Sequence, residues 1–101
     1  MNTIVLAVRD GILPAYHEAV FTKTYDPTDT VTMLNQAERI LNDHTDRGEN
    51  RLFVYDSGAT VELLCVLNAA REYGYKSIYV MCKNNITGEY YPVEVGLRGE
   101  D

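Results

Sequence analysis

Apolar and polar positions along this chain change period several times, and each change marks an element. Thr3 to Arg9 is a short apolar run with polar ends, which predicts a first strand; Gly11 to Pro14 breaks it. Glu18 to Tyr25 sets Ala19 and Phe21 against Val20 and Thr22, the alternation of a second strand. Asp26-Pro27-Thr28-Asp29 then supplies a turn and a choice of helix N-caps. Val31, Leu34, Ala37, Ile40 and Leu41 mark one face of an amphipathic helix that ends before Gly48.

From Leu52 to Lys83 the pattern is strand, loop, helix, strand. Leu52 to Tyr55 predicts a strand and Asp56-Ser57-Gly58-Ala59-Thr60 a loop. Val61 to Tyr73 predicts a helix stopped at Gly74, and Ser77 to Cys82 a further strand. Two strands joined through a helix run parallel, with a right-handed crossover. Apolar residues wrap most of this helix, which is the pattern of a deeply buried one. Asn84 to Gly88 predicts a turn and Glu89 to Val95 a last strand, placed at a sheet edge by Pro92. The fold class that follows is α/β, in the order β-β-α-β-α-β-β. It is a two-layer sandwich with a mixed four- to five-stranded sheet and two helices on one face, filling residues 1–101 as a single domain.

That arrangement is short of cover. Leu52 and Val54 point one way and Phe53 and Tyr55 the other; Ile78, Val80 and Cys82 likewise oppose Tyr79 and Met81. Strands apolar on both sides expect cover on both. Phe53, Tyr55, Tyr79, Met81 and Tyr90 are therefore the expected interface, with a second copy of the chain as the expected partner in a homodimer. The competing expectation is that loops and the segment from Ile12 to His17 fold over that side.

Charge narrows the partners. With 101 residues and a net charge of −6, the chain lacks the clustered cations that direct binding to a nucleic-acid backbone requires. Asp26, Asp29, Glu38, Asp43, Asp46, Glu49, Asp56 and Glu62 face only Arg39, Arg47 and Arg51 over the same stretch. Such a run is either a solvated face or an acidic surface offered to a basic protein, as in an inhibitor that imitates nucleic acid or a viral anti-defence protein. No apolar run nears the roughly 20 residues that span a bilayer, and the start carries no basic leader. Cys65 and Cys82 lie in apolar runs without metal-type spacing, and the Asn85-Ile86-Thr87 sequon has no secretory signal to go with it. The expected setting is the cytoplasm, with no membrane, metal or cofactor.

Candidate chemistry is confined to Asp56, Ser57, Gly58, Ala59 and Thr60. A loop at the carboxyl end of a strand and the amino end of a helix is where open α/β sheets bind ligands. The strand–Asp-Ser-Gly-Ala-Thr–helix arrangement resembles a compact phosphate-cradling loop of the nucleotide-binding α/β folds, phosphoribosyltransferases included. That resemblance implies a small nucleotide or phosphate held by backbone N–H groups and the Ser57 and Thr60 hydroxyls. The Gly-Lys-Ser/Thr, GxGxxG and paired-acid signatures are missing. Phe53 to Thr60 also resembles the active-site motif of retroviral-type aspartic proteases, which implies an all-β homodimer with Asp56 in a shared-proton pair. Ser57 or Thr60 as a plain helix cap, with Gly58 as the turn, is the third alternative.

Elsewhere the signals are sparse. His17 stands beside Glu18, and His44 falls near a helix end, where a positive charge is favourable. Tyr73, Tyr75, Tyr90 and Tyr91 could stack on a base or fill an interface. The expected protein is a small non-enzymatic binding or regulatory homodimer. The alternatives are an acidic inhibitor of a basic partner and, more remotely, an aspartic hydrolase.

Overall fold

A computed structural model of the chain describes residues 2–9, 18–22, 25–26, 28–44, 50–56 and 60–95. It contains strands β1 (Asn2–Arg9), β2 (Glu18–Phe21), β3 (Asn50–Tyr55), β4 (Tyr75–Lys83) and β5 (Tyr90–Val95), and helices α1 (Thr30–His44) and α2 (Thr60–Glu72). The strands form one mixed sheet in the order β2-β1-β3-β4-β5. Pairings β1–β2, β1–β3 and β3–β4 are parallel, and β5 joins β4 antiparallel.

Topology places both helices. The connection from β2 through α1 to β3 steps over β1, and the one from β3 through α2 to β4 steps to the next strand in the same direction. Right-handed crossovers that advance the same way put their helices on the same face. There α1 and α2 pack on each other and cover two rows of aliphatic side chains. One row is Ile4, Leu52 and Ile78; the other is Leu6, Val54 and Val80. All six are at most 7% exposed, and Leu52, Val54 and Ile78 are fully buried.

Local capping starts α1. The Asp29 carboxylate accepts from the Thr32 N–H at 3.3 Å and from the Thr32 hydroxyl at 2.7 Å, as an N-cap does. Asp26 holds the preceding turn by accepting from the N–H and hydroxyl of Thr28. At the other end the buried Tyr75 hydroxyl donates to the Leu41 carbonyl at 3.0 Å, satisfying one of the carbonyls a helix terminus leaves open. Gly74, at φ +75°, turns the chain from α2 into β4 in a conformation that side chains disfavour.

Three local expectations are corrected. The second strand stops at Phe21 rather than Tyr25, and the Tyr25 ring instead packs edge-on against Phe21 at 5.3 Å. The buried stripe of α1 is Met33, Ala37, Ile40 and Leu41, an i, i+4, i+7, i+8 set, while Val31 is 69% exposed. Helix α2 is not deeply buried all round: Leu63 and Leu67 are half-buried and Leu64 is 52% exposed. The sheet covers one side of α2 and α1 a second, so in a two-layer structure its outer side meets solvent.

Edge strand β5 packs Val95 against the core, while Tyr91 and Val93 are exposed on it. Pro92 sits at its middle, paired with Met81, and removes a donor from the free edge.

Candidate functional site

Two regions answer to the expectations: the carboxyl edge of the parallel strands and the sheet face opposite the helices. At the edge, Asp56 follows β3 directly and is half-buried, its N–H donating to the Met81 carbonyl at 3.3 Å. Thr60 opens α2 and is exposed. Ser57, Gly58 and Ala59 lie outside the described residues, so the cradle itself is not on view. The fold does place the two ends of this loop at a strand's carboxyl end and a helix's amino end.

The fold brings to the same place two residues that the sequence pattern did not single out as a pair. Arg9, at the end of β1, donates from Nε to both carboxylate oxygens of Glu62, at 2.8 and 3.0 Å. The Glu62 side chain is only 8% exposed and that of Arg9 33%, so the carboxylate is the desolvated partner. The Glu62 hydrogen bond, and then its charge, hold the Arg9 pKa above its ordinary value against the opposing effect of burial. Glu62 also lies in the first turn of α2, where a carboxylate meets the helix's positive end. A signal was there to be read: Glu62 interrupts an otherwise apolar helix start, and a buried carboxylate needs a cation.

Among the described residues, Glu62 already occupies both Arg9 and the positive end of α2. The aspartic-protease resemblance implied an all-β subunit, whereas Asp56 here leads into a helix of an α/β fold.

The second region is the face away from the helices. Its rows follow from register: Val5, Phe53, Tyr79 and Glu94 form one, and Ala7, Tyr55, Met81 and Pro92 the next. Phe53 and Tyr79 stack at 4.8 Å with 11° between their planes, and Tyr90 meets Tyr55 edge-on at 4.9 Å. The expected interface residues Phe53, Tyr55, Tyr79, Met81 and Tyr90 thus form one contiguous aromatic surface, each of them half-buried. No described element covers it, although Ala7 and Ala19 on its β1–β2 side are buried. The segment from Ile12 to His17, which with loops was the competing expectation for cover, lies outside the described residues. Arg51 shares this face, one row away from Phe53, and its Nε is buried with no hydrogen-bond partner.

Three acids of the 26–62 stretch have local work. Asp26 and Asp29 hold the turn and cap before α1, and Glu62 pairs with Arg9. Asp46 and Glu49 lie outside the described residues. His44 bonds through Nε2 to Glu18 at 2.6 Å, fastening the end of α1 to β2; His17 is not among the described residues. Burial pushes the Cys65 thiol above its ordinary pKa, with the Glu62 charge adding to it, which keeps the sulfur protonated and a poor nucleophile. Among the described residues no three His, Cys, Asp or Glu side chains are grouped to hold a metal ion, and no helix is long and apolar enough to cross a membrane.

Comparison with protein-family models, with curated proteins and with solved structures finds no match to this chain.

Proposed function

We propose that this chain is a non-enzymatic interaction protein that pairs with a second copy of itself through the aromatic face of its sheet. The observation that carries the reading is the contiguous set Phe53, Tyr55, Tyr79, Met81 and Tyr90 on the one face that no described helix covers. Tyr and Met are the residue types that enrich such surfaces, because they present large apolar area with little charge to desolvate. The face also carries one charge of each sign, Arg51 and Glu94, so a two-fold axis can set one against the other. Free Cys65 and Cys82 suit the reducing environment of the cytoplasm.

A small anionic ligand at residues 56–60 has less support, because Glu62 already fills the role an anion would take at the start of α2. A basic protein partner draws on the net charge of −6, yet three of the acids in the run are engaged within the fold.

Sedimentation velocity tests the pairing. The protein should sediment as a dimer at tens of micromolar, on the order of the concentration a modest interface requires, and Tyr79→Lys should yield a folded monomer. An unaltered protein that stays monomeric over that range would sink the reading.

A further inference from the structure

A second apolar feature lies on the far side of the molecule from the aromatic face, between the amino-terminal halves of the two helices. Val61, Leu64, Cys65 and Asn68 form an i, i+3, i+4, i+7 stripe along α2, and Thr30, Val31 and Leu34 of α1 face it. Between them is an open groove of about 400 Å³. Farther along, Ala37, Ile40 and Leu41 of α1 and Ala69 and Ala70 of α2 belong to the buried core.

The lips of the groove are Val31 and Leu64, 69% and 52% exposed, two of the most exposed large apolar side chains among the described residues. An aliphatic side chain left in water on each of two facing helices forgoes burial that a ligand would restore. Among the described residues that line the groove none is charged. A charged ligand would lose its hydration there without a counter-ion, so the chemistry favours a neutral one. The size argues against a partner helix: one turn of a helix about 10 Å wide already occupies roughly 400 Å³. The same volume falls within the range of small-molecule pockets, about 300–1,000 Å³.

We infer that the groove between α1 and α2 binds a neutral, largely apolar small molecule, with Thr30 and Asn68 as its polar contacts. The site is independent of the sheet face and stands or falls without it.

The test uses the full chain and the neutral apolar fluorophore diphenylhexatriene. Fluorescence should rise saturably at one fluorophore per chain. Leu64→Lys, a change at an exposed lip that leaves the core alone, should weaken binding by about tenfold or more, and Tyr79→Lys should leave it unchanged. Methyl resonances of Val31, Leu34 and Leu64 in the unaltered protein should shift on addition, a readout that does not depend on any variant folding. Absence of saturation, an unmoved set of those methyls, or equal binding by Leu64→Lys overturns the inference. So does loss of binding in Tyr79→Lys alone, which would put the fluorophore on the sheet. Conversion of a dimer to monomers by Leu64→Lys would also overturn it, by showing the groove covered by a second copy.

Discussion

The two faces of the sheet are made by alternate residues of the same strands, yet they differ in kind. The covered face is aliphatic and dry: Leu52, Val54 and Ile78 are fully buried beneath two helices. The opposite face is aromatic and half-wet, with Phe53 stacked on Tyr79 and Tyr90 edge-on to Tyr55. Branched aliphatic side chains fit the tight, shaped gap between a sheet and helices packed upon it. Flat amphipathic rings instead shield one another when no helix is present and leave a surface that a partner can finish covering. One face therefore holds the fold together beneath the helices, and the other keeps its rings half-exposed.

Neighbouring positions in β3 sharpen that contrast most. Leu52→Ala removes a fully buried side chain and should lower unfolding free energy by about 2–5 kcal/mol, a large share of the total for a small domain. Phe53→Ala, one residue along on the other face, should cost clearly less in folding and show instead as weaker self-association. Paired urea titrations and sedimentation runs read both quantities, and equal destabilisation by the two changes would erase the distinction between the faces.

Next in size is the ion pair that closes the covered side at its carboxyl edge. Arg9→Ala leaves the Glu62 carboxylate nearly buried without its partner, at an expected cost of about 1–3 kcal/mol, nearer the lower figure because Arg9 is partly hydrated. The double variant with Glu62→Gln should recover part of the loss, and additive effects in that cycle would show the two side chains to be uncoupled.

The smallest effects belong to the turn before α1. Asp29→Ala should cost about 1 kcal/mol through the lost cap. Asp26 has its pKa lowered, first by the Thr28 N–H and then by the Thr28 hydroxyl. Its folded value lies below its unfolded one, so its contribution is present above about pH 4 and fades as pH falls through the folded value. Thermal melts of the unaltered protein and Asp26→Asn should differ slightly near neutrality and converge in acid; a gap that widens in acid would reverse the assignment.

Element types, their order and the parallel β3–β4 pair were legible because periodicity, turn residues and Pro92 are local signals. The buried stripe of α1 was read out of phase at Val31, since pattern alone cannot say which side of an amphipathic helix will meet the sheet. The exposure of Leu64 was misread for a related reason: an apolar helix looks buried until the number of layers over it is known. As for the candidate edge, the position of Asp56 and Thr60 followed from the strand–loop–helix order, whereas Glu62 in an apolar helix start signals only the need for a cation, and that Arg9, 53 positions away, supplies it is a fact of the fold.

What the chain decided by itself is the type and order of its strands and helices and that β3 and β4 are apolar on both sides, because those facts depend only on near neighbours and side-chain chemistry. The tertiary structure alone decided that β1 and β2 run parallel and that β1 lies between β2 and β3, so that both crossovers advance in one direction. Strand order is a long-range choice, settled by which surfaces bury each other best. No short window of sequence carries it.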